Sequence, residues 1–146
     1  MSTRALGKSV SGRGVVRDKD RRVVADSAAA LDDMGYRAFR VPGGFGGPVF
    51  DDIDAILPVS PNTTVATAVL NVWMHEAPET DSWVARVRAD HPSRMILGLG
   101  ASHEIALSRS GRNYSRPLGN LRAYLDQLAE QQPVPVQPHE MVLAAL

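Results

Sequence analysis

The chain has 146 residues, with 16 basic and 16 acidic side chains, four His and no Cys. That length suits one domain with a sizeable core, and the even charge argues against a dedicated nucleic-acid binder. The lack of Cys excludes disulfides, thiolate catalysis and Cys-ligated metal centres.

A 44% hydrophobic and 22% charged composition is that of a globular protein. No apolar run approaches the roughly 18 residues that would span a bilayer. Met1–Gly12 has Arg4 and Lys8 but no apolar signal-peptide stretch, so the expected location is cytoplasmic. Residues 1–22 hold seven basic side chains against two acidic ones, and residues 1–12 are expected to form a flexible leader to a domain over 13–146.

In chain order, Gly14–Arg17 is a short candidate strand. Arg21–Met34 has helical spacing at Val24, Ala28, Leu31 and Met34, with Gly35 as its stop. Tyr36–Val41 is a candidate strand closed by Pro42-Gly43-Gly44, and the glycines through Gly47 form a loop. Val49–Leu57 is a helix with acidic residues near its start, which suits the positive end of the helix dipole. Thr64–Val72, β-branched and apolar on both faces, is the clearest strand. Pro78 opens a helix that runs to about Asp90. Met95–Gly100 is a further buried strand. Ser115 and Pro117 start a helix with Leu118, Leu121, Leu125 and Leu128 on one stripe. A Pro-rich link, Pro133 to Pro138, leads to the apolar run Met141–Leu146.

Alternating strands and helices imply a parallel sheet with right-handed crossovers, either open or part of a (β/α)8 barrel. A full barrel needs about 250 residues, so about five parallel strands and four helices are expected here, a partial TIM barrel that stops on an apolar strand.

The order and wording of four segments carry a resemblance. They are Val65-Ala66-Thr67-Ala68-Val69-Leu70-Asn71-Val72-Trp73; Ala77-Pro78; His91-Pro92-Ser93-Arg94; and Leu97-Gly98-Leu99-Gly100-Ala101-Ser102-His103. Tyr114-Ser115-Arg116-Pro117-Leu118 with Leu121-Arg122-Ala123-Tyr124-Leu125-Asp126, and Asp33-Met34-Gly35-Tyr36, extend it. Together they resemble the luciferase-like monooxygenase superfamily, in particular its coenzyme F420-dependent oxidoreductases, over residues 26–146. The match covers the first half of that family's barrel, through the fifth strand.

The resemblance implies a flavin or deazaflavin bound at the C-terminal mouth of the strands: F420, with FMN as the alternative. It also implies a small organic substrate and a hydride transfer between the two. Ala68-Val69 resembles the place where the family has a non-prolyl cis peptide, a bulge behind the cofactor ring. Phosphate contacts come largely from the later strands in such barrels, so a lone half-barrel is expected to hold a cofactor weakly. Self-association or pairing with a second half-barrel chain is the expected response to its open sheet edges.

Several residues have two readings each. Asn71 ends the strongest strand, where its amide suits either the pyrimidine-like edge of a flavin or the backbone of its own loop. Trp73 and His75 come next at the mouth, as pocket walls or as packing. Gly98 and Gly100 permit close backbone approach to a ligand, which makes Gly100 a cofactor-binding candidate. His103, titrating near neutrality, is a candidate proton donor or acceptor beside a hydride-transfer centre, or a loop histidine bonded to backbone. Arg40 is a surface residue or a contact for an anionic substrate. The run Gly43-Gly44-Phe45-Gly46-Gly47 lacks the Lys-Ser/Thr of a phosphate loop and reads as a flexible connection. The four His are too scattered for a metal site, and no G-x-S-x-G elbow is present. Besides the oxidoreductase reading, a non-catalytic half-barrel and an unrelated open α/β binding domain remain open.

Overall fold

The computed structural model describes residues 11–12, 20–43, 46–130 and 135–144. The elements are β1 (Ser11–Gly12), α1 (Arg21–Asp33), β2 (Ala38–Gly43), α2 (Val49–Ile56), β3 (Thr64–Asn71), α3 (Ala77–Asp90), β4 (Met95–Gly100), α4 (Glu104–Ser108), α5 (Pro117–Glu130) and β5 (Met141–Leu143). The strands form one sheet in the order β1-β2-β3-β4-β5, and every neighbouring pair is parallel. Sequential parallel order is the arrangement of successive strands in a (β/α) barrel.

Local chemistry sets the element ends. The Asp20 carboxylate caps α1 by accepting from the Arg22 N–H at 2.8 Å. Gly35, at φ 91°, turns the chain out of α1 in the left-handed region that glycine tolerates. Asp51 and Asp52 lie in the first turn of α2 and Glu79 in that of α3, beside the positive dipole ends.

One face of the sheet is covered by helices. Val24 and Ala28 of α1, Val49 and Ile53 of α2, Val84 and Val87 of α3, and Leu121 and Leu128 of α5 join Val41, Val65, Leu70, Leu97 and Leu99 in a single core. The α5 stripe differs from the sequence expectation, because Tyr124 is buried and Leu118 is 68% exposed. The Tyr124 hydroxyl shares a 2.6 Å hydrogen bond with Thr80 of α3. Burial pushes its phenol up to about 12, so it stays neutral and ties the two helices. Met34 is also exposed rather than on the buried stripe of α1, because it caps the helix end beyond the last turn that meets the sheet. The short α4 was not expected; its Ile105 is 67% exposed, so it carries no apolar periodicity to read. The candidate strand Gly14–Arg17 lies outside the described residues, and the strand beside β2 is Ser11–Gly12. No helix among the described residues is long and apolar enough to cross a membrane.

A polar network ties the N-terminal ends of the strands. The buried Asp32 carboxylate accepts from the Asn62 N–H (3.2 Å), Asn62 Nδ2 (2.9 Å) and Thr63 Oγ1 (2.5 Å). Arg94 donates from Nε to the Thr63 carbonyl (2.7 Å) and from its guanidinium to those of Ser60 (2.5 Å) and Leu57 (3.4 Å). Ser93, beside it, takes a positive φ of 60°, and the turn directs Arg94 into carbonyls that no strand partner meets.

Burial alone would raise the Asp32 pKa, but hydrogen bonds from Thr63 and Asn62, with the charge of Arg37, bring it below the ordinary carboxylate value. Because the folded pKa is depressed, the ionised carboxylate contributes its full stability above the unfolded value and loses it as pH falls through the folded one. Replacing Asp32 by Asn is expected to destabilise the chain by about 2 kcal/mol at neutral pH. The loss should shrink between about pH 5 and pH 3, as urea titrations of both proteins will show; a pH-independent difference would exclude this role for the charge.

Candidate functional site

The site is organised by an irregularity in β3. Arg40 and Val41 of β2 pair with Ala66 and Thr67, but Gly43 pairs with Leu70, so β3 spends one residue more than β2. Against β4 the count repeats: Ala66 faces Ile96 and Leu70 faces Leu99. One extra residue between 66 and 70 is a β-bulge. Within it the Ala68–Val69 peptide bond is cis, at the position the resemblance implied. Val65 and Leu70 both reach the core at 0% exposure, although five residues apart. Strict alternation would place them on opposite faces, and the bulge brings Leu70 back to the covered side.

β4 makes room for this. A Cβ added to Gly98 would sit 2.0 Å from the Thr67 carbonyl oxygen, and one added to Gly100 would sit 2.7 Å from Cγ2 of Val69. The bulge interrupts the ladder, and the Thr67 hydroxyl replaces it: it donates to the Gly98 carbonyl at 2.7 Å and accepts from the Gly98 N–H at 2.8 Å. The close approach read from Gly98 and Gly100 in sequence is therefore, in this structure, an approach by β3 itself.

On the face away from the helices the bulge borders a cavity of about 360 Å³ lined by Ala38, Phe39, Arg40, Thr64, Ala66, Thr67, Ala68, Val69, Ile96 and Val142. Of the residues singled out from sequence, Ala68 and Val69 lie here, together with Arg40. Ala66 belongs to the alternating small residues Thr64, Ala66 and Ala68 of β3, whereas Thr67 and Ile96 carry no such local signal.

Asn71, Trp73 and Gly100 meet instead at the C-terminal ends of β3 and β4. Asn71 is 1% exposed and pairs with Gly100. Its Oδ1 accepts from the Trp73 N–H at 3.0 Å, an Asx turn of the type that starts many loops. Trp73 donates its indole N–H to the Ala101 carbonyl at 2.7 Å and lies 6.0 Å from the Tyr114 ring, whose hydroxyl donates to the Ser102 carbonyl at 3.1 Å. These bonds lace the two strand ends together. Ser102 adopts φ 62°, and the exposed His103 comes next, just before α4, its carbonyl accepting from the Leu107 N–H of that helix. His75 is buried and lies 4.9 Å from Phe50 of α2, which stacks on Trp83 of α3 at 4.3 Å. That places His75 among helix residues rather than on the cavity wall. Gly44 and Phe45 of the glycine run lie outside the described residues. Among the described residues no group of three or more His, Asp or Glu side chains is placed to hold a metal ion.

No protein-family model and no curated protein matches the chain. Solved structures do. The oxygenating constituent of 3,6-diketocamphane monooxygenase from Pseudomonas putida is a type II Baeyer-Villiger monooxygenase in complex with FMN. It superposes with a TM-score of 0.63 at 15% identity, covering 81% of this chain and 37% of that one. MsnO8, in its apo form, superposes with a TM-score of 0.54 at 21% identity, covering 89% of this chain and 44% of that one. The shared fold is a partial luciferase-like barrel, and this chain spans less than half the length of either.

The β3–β4 seam yields a direct test. Replacing Gly98 by Ala puts a methyl group on the backbone of Thr67 and is expected to cost about 3 kcal/mol, read as a large fall in the melting midpoint. A melt unchanged from that of the parent would show that the bulge can move away from β4.

Proposed function

We propose that this chain carries the ring-binding surface of a luciferase-like oxidoreductase using F420, or alternatively FMN. The observation that carries this reading is the cavity at the β3 bulge, bounded by Ala68 and Val69 on the face away from the helices. The similarity to a protein seen in complex with FMN supports it. The floor of small side chains suits a flat, largely apolar ring system. When bound, such a cofactor exchanges a hydride with an organic substrate.

In this reading the chain's own residues have separate tasks. Ala68 and Val69 support one face of the ring and leave the other to substrate, and Gly100 keeps Val69 seated against β4. Asn71 and Trp73 hold the strand ends in register, so that the mouth keeps its shape. His103, exposed beyond β4, exchanges the proton that accompanies hydride transfer. His75 supports α2 against α3 beneath the mouth.

The test is a fluorescence titration of the chain with F420 and with FMN, its mass followed by light scattering. Saturable binding is expected, weakened about tenfold or more by Ala68→Phe, which fills the cavity from an exposed position. His103→Ala should leave affinity intact and slow turnover by about 100-fold. No binding of either cofactor overturns the reading.

One observation favours a second reading, a non-catalytic half-barrel that assembles through its sheet edge. Val142 and Leu143 of β5, the last strand of the sheet, are 54% and 50% exposed. An exposed apolar edge strand is a template for pairing with another chain. A concentration-dependent dimer without cofactor binding would select this reading.

A further inference from the structure

The face of the sheet away from the helices holds a cation in a wall of mostly apolar side chains. Arg40, Ala66 and Ile96 occupy one row, since Arg40 pairs with Ala66 and Ala66 with Ile96. Residues in register on adjacent strands point to the same side. All three line the cavity of about 360 Å³, as do Ala68 and Val142. No carboxylate among the described residues lies within ion-pair distance of Arg40. Of the side chains beside it in the wall, those of Ala38, Ala66, Ala68, Ile96 and Val142 carry no acceptor, and Thr64 carries only a neutral hydroxyl.

Charge complementarity identifies the occupant. A guanidinium presents a planar fork that matches a carboxylate through two parallel hydrogen bonds. Set in an apolar wall, it selects an acid with an apolar body. The volume lies in the range of about 300–1,000 Å³ typical of small-molecule sites. Two copies packed face to face would bring the same cation and the same shallow floor together, so a second copy satisfies neither the charge nor the volume. We propose that this cavity binds an organic carboxylate, with its acid group on Arg40 and its apolar body along Ala66 and Ile96 toward Ala68 and Val69. This goes beyond the cofactor reading and requires no bound cofactor.

The experiment is an amide NMR titration of the full chain, free of cofactor, with naphthoate and with its uncharged counterpart naphthamide. Naphthoate is expected to shift the Ala66 and Ile96 amides saturably, with an affinity about tenfold or more above that of the amide. Arg40→Gln should remove that preference and leave the naphthamide affinity unchanged, with Arg40→Lys intermediate. Ala66→Leu, which fills the floor, should weaken both ligands. A cooperative melt equal to that of the parent qualifies each variant. Equal affinity for acid and amide, an unaltered naphthoate affinity in Arg40→Gln, or no saturable binding of either compound overturns the proposal. Because naphthoate is titrated without cofactor and read against its own amide, failure here is distinct from failure of the F420 and FMN titrations.

Discussion

The structure depends on how β3 and β4 accommodate one extra residue. A bulge in a central parallel strand leaves backbone groups without their ladder partners, and such groups are costly when buried. Here the cost is offset by a single side chain: the Thr67 hydroxyl both donates to and accepts from Gly98. Gly98 can take part only because it lacks a Cβ, whose place is taken by the Thr67 carbonyl. The two residues act as a unit, and their union fixes the positions of the next three residues of β3. It leaves Ala68 exposed on the face away from the helices, seats Val69 against Gly100, and returns Leu70 to the core.

The two ends of the strands divide the remaining work. At the N-terminal ends, Asp32 and Arg94 collect loop donors and carbonyls into a closed network far from the bulge. At the C-terminal ends, Asn71 accepts from the backbone of its own loop, while Trp73 and Tyr114 donate to carbonyls just beyond β4. The two networks thus sit at opposite ends of the strands. The helices bury the covered face with branched apolar side chains. The opposite face presents Ala38, Ala66 and Ala68 beside Ile96 and Val142, with Arg40 between. A closed barrel normally fills its interior with bulky branched residues. A floor this shallow leaves volume for a ligand, and its charge says which kind.

Much of this arrangement was legible in the residues. Periodicity and end signals placed the boundaries of α1, α3 and β4 within a residue or two, because Gly35 and Pro78 act through local geometry. The β-branched run from Thr64 marked β3, and the segments from Val65 to His103 carried a resemblance that the fold similarity supports. Less legible were features with no local signature. Tyr124 replaced Leu118 on the buried stripe of α5 because Thr80, 44 residues away in sequence, supplies a hydrogen-bond partner. His75 sits against Phe50 because α2 and α3 converge there, although its place after β3 pointed to the mouth.

The sequence by itself determined the order of parallel βα units and the residues at the strand ends, since each rests on short-range pattern and backbone chemistry, whereas the bulge in β3 was what the family resemblance implied. Only the tertiary structure decided what those residues meet. Gly98 and Gly100 receive β3, Asn71 is engaged by its own loop, and Arg40 is left facing a cavity without a carboxylate among the described residues. The physical reason is that contacts between strands depend on register. One inserted residue in β3 moves every later side chain relative to both neighbours, and no window along the chain contains all three strands.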